Sequence, residues 1–141
     1  MDHLLQFISV HYWLATGTAF AAAVLVVYEM RARAESRFAV SPQELIRLMN
    51  QGALVLDLRA QEKFAEGHLA GARQMSGEAL LSAGDTLKKH KEKVVVVYDD
   101  TGAVGAPAVR QLAAQGFTRA FTLKGGIAAW RADNLPLSRA S

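Results

Sequence analysis

The chain has 141 residues, of which 51% are hydrophobic and 21% charged, and its formal net charge is +3. This length suits one domain with a short appendage. Because the chain contains no cysteine, disulfides, cysteine-ligated zinc or iron–sulfur and a thiolate nucleophile are excluded. The excess of Lys and Arg over Asp and Glu, 16 against 13, is too small to indicate a nucleic-acid-binding face.

An uncharged and largely apolar run covers residues 4–28. About 20 helical residues cross a hydrocarbon core of ~30 Å, so this run is long enough for one membrane span. Tyr12, Trp13 and Tyr28 lie near its ends, where interfacial aromatic residues are common. We therefore predict a single N-terminal transmembrane anchor within residues 1–28.

Three other interpretations of the run compete with a membrane span. A cleaved secretory signal would carry Lys or Arg before the apolar residues, but only Asp2 and His3 stand there. A buried helix that is apolar on every face would need a larger protein around it. An interfacial amphipathic helix needs a polar face, which the run lacks. Each of the three fits the run less well than a membrane span does.

Residues 29–37 form a charged juxtamembrane linker. Arg31, Arg33 and Arg37 follow the apolar run, whereas Asp2 is the one formally charged side chain before it. The positive-inside tendency then predicts a single-pass membrane protein with its C-terminal domain in the cytoplasm. The expected partners are the lipid bilayer, through the N-terminal helix, and another membrane or membrane-associated protein. No nucleic acid is expected.

From residue 38 onward, short strands alternate with short helices, which predicts a parallel α/β domain with right-handed crossovers. Ser41, Pro42 and Glu44 have the positions of an N-cap, a first-turn proline and a capping-box acid. Residues 94–98 read VVVVY, as expected of a central strand covered on both faces. The predicted strands are residues 53–58, 72–75, 94–98 and 120–123, after a short apolar entry at 38–40. The predicted helical segments are residues 42–50, 62–65, 76–81 and 106–115, and a last helix that Gly125-Gly126 opens and that runs through Trp130.

Two sequence blocks resemble the signatures of rhodanese domains. Residues 55–72 read VLDLRAQEKFAEGHLAGA and resemble the first signature. Residues 94–130 contain a strand, a loop, a helix, Gly-Phe, a further strand and Leu-x-Gly-Gly-x-x-x-Trp, and they resemble the second. The resemblance implies a rhodanese-like domain over residues 38–138, with a parallel sheet of about five strands flanked by helices. With its anchor, the chain is similar to small membrane-tethered rhodanese-like proteins of bacteria, and this similarity implies a place in the cell inner (cytoplasmic) membrane. The positions that match the family motifs are Asp57, Arg59, Phe64, His68, Gly71, Gly125, Gly126 and Trp130.

The loop at residues 99–105 departs from the family pattern. In sulfur-transferring rhodaneses a cysteine follows the central strand, and its thiolate takes a sulfane sulfur from thiosulfate and passes it to cyanide or another thiol. Asp99 stands at that position here, and Val104 stands at about the position of the loop's usual arginine. The resemblance therefore implies a sulfurtransferase relative with no catalytic residue and no cofactor. The candidate ligand-binding or interaction loop comprises Asp99, Asp100, Thr101, Gly102, Ala103, Val104 and Gly105.

These residues also allow other roles. A phosphatase that uses Asp99 as its nucleophile would need Asp-x-Asp, but Asp99 and Asp100 are adjacent, so capping of the next helix is the favoured role. Asp57 and Arg59 are expected to tie neighbouring loops together, and His68 to be a buried structural histidine. No metal site is predicted, because the remaining histidines lack ligand spacing; they are His3, His11 and His90. The residues expected in the core are Phe64 and Trp130, and those expected in tight loops are Gly102, Gly105, Gly125 and Gly126.

The sequence therefore predicts a domain without sulfurtransferase activity that works as a protein-interaction or regulatory module at the cytoplasmic face of the membrane. Two alternatives remain open. One is a residual enzyme or small-anion sensor that uses the loop amides of Gly102–Gly105 without a cysteine of its own. The other is a carrier that borrows a cysteine from its partner.

Overall fold

The computed structural model of the protein describes residues 1–139, except for the side chains of residues 35 and 36. The chain divides into two compact units, Met1–Arg37 and a second that begins at Phe38. The first unit consists of helices α1 (Asp2–Val10) and α2 (Tyr12–Ser36). A segment of α2, Tyr12–Ala34, is long and apolar enough to cross a membrane.

This segment differs at both ends from the predicted residues 1–28. At its start, His11 leaves the helical conformation (φ −117°, ψ 34°) and ends α1. The His11 carbonyl then accepts the N–H groups of Leu14 and Ala15, which begins α2. At its end, the helix continues through the charged residues after Tyr28, because Glu29 and Arg33 are good helix formers one turn apart, with 3.9 Å between their side chains.

The second unit contains five strands and six short helices among the residues described. The strands are β1 (Ala39–Val40), β2 (Leu54–Asp57), β3 (Arg73–Gln74), β4 (Val94–Tyr98) and β5 (Arg119–Leu123). The helices are α3 (Pro42–Asn50), α4 (Gln61–Glu66), α5 (Gly77–Leu80), α6 (Ala83–Thr86), α7 (Gly105–Ala114) and α8 (Gly126–Ala132), with a 3-10 turn at Lys88–His90. The strands form one sheet in the order β1-β5-β4-β2-β3, and every pair is parallel. The predicted fold class is thereby confirmed.

The position of β4 at the centre of the sheet explains why its sequence is largely apolar. Val95 and Val97 belong to a core cluster with residues of α5, α6 and α7, such as Leu80 and Leu112. The alternate residues of β4 belong to a second cluster with residues of α3 and α8, such as Leu45 and Ile127. Because successive side chains of a strand point to opposite faces, helices that cover both faces favour an apolar residue at every position of β4, and the one hydroxyl of the strand, on Tyr98, lies at its carboxyl end.

The parallel topology places the ends of the strands at two opposite edges of the sheet. The connections after β2, β4 and β5 leave from the carboxyl edge, where Asp57, Asp99 and Lys124 follow or end their strands. Strands β2 and β3 are each two residues shorter than predicted, because they pair over short stretches only. The polar stretch at residues 85–93 contains the end of α6 and the 3-10 turn.

Candidate functional site: the loop after the central strand

Asp99 directly follows β4 and is 5% exposed. Its carboxylate accepts two N–H groups of its own loop: Gly102 donates to Oδ1 at 2.6 Å and Val104 donates to Oδ2 at 3.1 Å. Helix α7 begins at the next residue, Gly105, so the negative charge lies at the positive end of the helix. The N–H groups of the loop therefore already bind an anionic group, the carboxylate of the loop's own first residue.

Helix α8 holds this loop from the side. The carbonyl oxygens of Asp99 and Asp100 accept the N–H groups of Ile127 and Ala128, at 2.9 and 3.1 Å. This approach requires a glycine at position 126, where φ is +61° and an added Cβ would lie 2.6 Å from the Asp99 carbonyl oxygen. The Asp99 side chain thus holds its own loop through two hydrogen bonds, and the Asp99 carbonyl connects the loop to α8.

The outer surface of the loop is small and largely uncharged. Asp100 forms an ion pair with Lys63 of α4 at 2.8 Å, and both side chains are about half exposed. Thr101, Ala103 and Val104 are exposed. Beside Val104 lies an apolar groove of about 330 Å³, whose lining also includes Leu58, Leu80, Pro107, Ala108 and Gln111. The loop thus presents short side chains next to an apolar groove.

A second feature, at the carboxyl ends of β2 and β4, is a buried polar network centred on Asp57, which is fully buried. Arg59 donates to both carboxylate oxygens, with its Nη2 at 2.8 Å from Oδ2 and at 2.6 Å from the Gly67 carbonyl. The Tyr98 hydroxyl donates to Asp57 Oδ2 at 2.7 Å and accepts the Leu69 N–H at 3.2 Å. Burial, and then the bond to Asp57, raises the pKa of the Tyr98 phenol. The network joins the ends of β2 and β4 to the chain after α4.

Sequence reasoning did not assign Tyr98 to this network. The available signal was a single hydroxyl at the end of a strand that otherwise contains only valine. A tyrosine hydroxyl in a core needs a partner, and the β2–β4 register places Asp57 opposite Tyr98.

Two further motif residues, His68 and Trp130, bind the segment that follows α8. His68 is 8% exposed; its Nδ1 donates to the Phe64 carbonyl at 2.8 Å, and the two rings stack with centroids 3.9 Å apart. The His68 backbone pairs with that of Ser138, and the Trp130 indole donates to the Pro136 carbonyl at 3.0 Å. The motif glycines Gly71 and Gly125 and the loop glycine Gly102 adopt positive φ angles in tight turns, of 75°, 76° and 92°. Gly105 packs against Thr122, with which any added Cβ would collide.

Among the side chains that the structure describes, which exclude those of residues 35, 36, 140 and 141, no group of three or more His, Asp or Glu is placed to hold a metal ion. His68 has its Nδ1 committed to a backbone carbonyl, and Asp57 is surrounded by Arg59 and Tyr98. The site therefore consists of oriented backbone N–H groups, a carboxylate that accepts hydrogen bonds from two of them, and the apolar groove beside Val104.

Residues 41–133 match the family model described as a rhodanese-like domain. The uncharacterized protein YibN of Escherichia coli K12 is 31% identical over 141 residues, which cover 99% of each chain. A thiosulfate sulfurtransferase, GlpE of Ectopseudomonas mendocina, is 33% identical over 93 residues, which cover 66% of this chain and 84% of that one. The solution structure of the rhodanese-like domain of the Anabaena protein Alr3790 superposes with a TM-score of 0.64 at 27% identity, covering 73% of this chain and 80% of that one.

Proposed function

The chain belongs to the rhodanese-like family, and we propose that it is a member whose domain binds a partner and does not transfer sulfur. Some of its relatives are thiosulfate sulfurtransferases, which makes sulfur transfer the activity to test first. The proposal rests on one observation: the carboxylate of Asp99 accepts hydrogen bonds from two backbone N–H groups of the loop that follows β4.

We assign Asp99 to the position of the family's catalytic cysteine. A sulfurtransferase thiolate attacks the sulfane sulfur of thiosulfate, a new S–S bond forms, and sulfite leaves with the electrons of the broken bond. A carboxylate has no sulfur with which to form that bond, and the whole chain contains no cysteine. The charge of Asp99 would also repel an anionic donor by about 1–4 kcal/mol at a separation of ~4 Å, depending on the local dielectric.

The direct test is an assay of the full chain with thiosulfate and cyanide. We expect no thiocyanate above the uncatalysed rate. Turnover comparable to that of a cysteine-bearing relative would overturn the proposal. The variant Asp99→Cys tests the assignment of the position, since it restores a thiol at the end of β4. We expect it to gain measurable turnover, whereas Asp100→Cys, the matched control one residue further on, gains none.

The membrane is the second part of the proposal. The segment Tyr12–Ala34 is long and apolar enough to span a bilayer, and two of its hydroxyl groups bond within the helix, Thr16 to the Trp13 carbonyl at 3.0 Å and Thr18 to the Leu14 carbonyl at 2.8 Å. Hydrocarbon requires such internal pairing of polar groups. We propose a single span of the cell inner membrane with the domain on the cytoplasmic side, where its partner is a membrane or membrane-associated protein.

Orientation can be tested by proteolysis. In spheroplasts the domain should resist an added protease, and in inside-out vesicles it should be cleaved. Cleavage in intact spheroplasts would contradict the cytoplasmic placement.

A small-anion sensor is the weaker candidate function. The N–H groups of Gly102 and Val104 already donate to Asp99, so a free anion would have to displace a carboxylate that is attached to the loop and therefore present at a high effective concentration. Protection of the chain against thermal unfolding by sulfate, saturable and absent in a Gly102→Ala variant, would favour the sensor instead.

A further inference from the structure

Seven of the thirteen Lys and Arg residues of the second unit lie at one edge of the sheet. Arg73 and Arg119 begin β3 and β5, and Lys93 directly precedes β4. Because all five strands are parallel, these residues lie at the same, amino-terminal edge. The 3-10 turn before β4 adds further lysines, and the last turn of α3, just before β2, adds an arginine. The cluster, here called the basic edge, comprises Arg47, Arg73, Lys88, Lys89, Lys91, Lys93 and Arg119.

Contacts between these elements connect the start of β5 and the end of α3 with the stretch of chain before β4. Arg119 Nη2 donates to the Glu92 carbonyl at 3.1 Å, and the Thr118 N–H donates to the Lys91 carbonyl at 3.3 Å. Lys93 and Arg119 line one surface groove together with the end of α3. The pKa of His90 in the same turn is lowered, first by partial burial and then by the charges of Arg73, Lys93 and Lys89. These cations therefore act on a common region.

The charge of the basic edge is not balanced locally. Against its seven Lys and Arg residues, the stretch at residues 85–93 that contributes four of them contains two acidic residues, Asp85 and Glu92. The rest of residues 38–139 has the opposite balance, with six Lys and Arg against eight Asp and Glu. The candidate loop at residues 99–105 lies at the other end of β4, on the carboxyl edge.

The chain also enters the domain at the basic edge, because β1 begins at Ala39. Two residues, Arg37 and Phe38, separate the end of α2 from β1. The apolar run of the anchor ends at Tyr28, so the helical residues 29–36 also lie between it and the domain. At ~1.5 Å per helical residue and at most ~3.6 Å per extended residue, β1 begins within roughly 20 Å of the apolar run. A domain on so short a tether can turn its basic edge to an anionic leaflet, which attracts lysine and arginine side chains.

We propose that the basic edge binds the anionic lipid headgroups of the membrane in which α2 is anchored, so that the loop at residues 99–105 points away from the bilayer. This inference rests on the membrane span of the proposed function. It commits the domain to one orientation, in which a partner reaches the loop from the aqueous side.

The absence of native cysteine allows a direct test with the full chain. Single variants Thr118→Cys, beside the basic edge, and Thr101→Cys, in the loop, are labelled with a fluorophore and reconstituted into vesicles that contain a nitroxide-headgroup lipid. With phosphatidylglycerol present, we expect strong quenching of the label at position 118 and little at 101. In purely zwitterionic vesicles, and at high salt, the quenching at 118 should fall towards the level at 101.

The charge itself is tested by the double variant Lys88→Glu/Lys89→Glu, which should lose the lipid-dependent quenching at 118. Its matched control, Lys124→Glu/Arg139→Glu, changes the net charge by the same amount outside the basic edge and should keep this quenching.

Two results would overturn the inference while the chain remains in the vesicles. They are equal quenching at both labels, and quenching at 118 that does not depend on the charge of the lipid. Failure of the chain to float with the vesicles after alkaline washing would instead contradict the membrane span. Binding of a fluorescent single-stranded oligonucleotide that the Lys88→Glu/Lys89→Glu variant abolishes would assign the basic edge to nucleic acid and overturn the inference as well.

Discussion

A carboxylate that accepts two backbone N–H groups cannot be exchanged for an amide without turning one acceptor into a donor. The variant Asp99→Asn would place an NH2 group against the N–H of Gly102 or Val104, and Asp99 is almost fully buried. We expect a loss of about 1–3 kcal/mol in the free energy of unfolding. Urea unfolding of the chain in detergent, followed through Trp130 fluorescence in a Trp13→Phe background, measures it.

Asp100→Asn is the control for this prediction. Asp100 pairs with Lys63 at a half-exposed site, and exposed ion pairs contribute roughly 0–1 kcal/mol. Equal losses in the two variants would mean that the Asp99 carboxylate does not hold the loop.

Tyr98 makes the stability of the domain depend on alkaline pH. Because the pKa of its phenol is raised in the folded state, the neutral form is favoured by folding. The stabilisation is complete below the pKa of an unfolded tyrosine, about 10, and is lost as the pH rises above it. The Tyr98→Phe variant lacks this dependence, although it is less stable at neutral pH by about 1–3 kcal/mol, since Asp57 loses a donor.

The measurement is the difference in unfolding free energy between the native chain and Tyr98→Phe as a function of pH. It should be constant between pH 7 and 9 and should shrink above pH 10. Tyr28→Phe, at an exposed position of α2, serves as the reference. A difference that stays constant through pH 11 would contradict the prediction.

At the scale of single elements, the approach of α8 to the loop depends on Gly126. In Gly126→Ala the new methyl group would meet the Asp99 carbonyl and the backbone at residues 100 and 101, and the backbone conformation itself favours glycine. We expect a destabilisation of about 1–3 kcal/mol, measured by urea unfolding. Gly77→Ala, at a helical position with open space around it, should change stability by no more than about 1 kcal/mol, and in the stabilising direction.

Elements with strong local signals were predictable. Helix α3 has the predicted bounds because Ser41 accepts the Glu44 N–H, Pro42 occupies the first turn, and Gly52 follows with a positive φ. Strand β4 also has its predicted bounds, because only a doubly covered strand uses five apolar residues in succession. The break at His11 was not predictable, since the sequence around it contains neither glycine nor proline.

For the molecule as a whole, the span can be tested with charge. Ala22→Arg/Leu25→Arg places two guanidinium groups near the middle of Tyr12–Ala34, at a cost of about 2.5–3.5 kcal/mol each for insertion. We expect the chain to move from the membrane fraction to the soluble or aggregated fraction. Leu81→Arg, at an exposed position of the domain, should leave it in the membrane. Retention of the double variant after alkaline extraction would contradict a span through this segment.

The architecture of the domain followed from its sequence blocks, whereas its charge distribution did not. In the sequence alone, the lysines within residues 88–93 are typical of a solvated helix end. Arg47, Arg73 and Arg119 are far from them in sequence, and only the parallel pairing of the strands brings them to one edge. The same reason applies to the network beneath the loop, in which Asp57 and Tyr98 meet across 41 residues.

The tethered carboxylate at the end of β4 has a consequence for the conditions under which the protein can work. None of the seven residues from Asp99 to Gly105 carries a thiol, a thioether or an imidazole, so peroxide, hypochlorite and thiol-directed electrophiles find no target there. A partner that recognises this loop would therefore meet the same chemical surface in a reduced and in an oxidatively stressed cell.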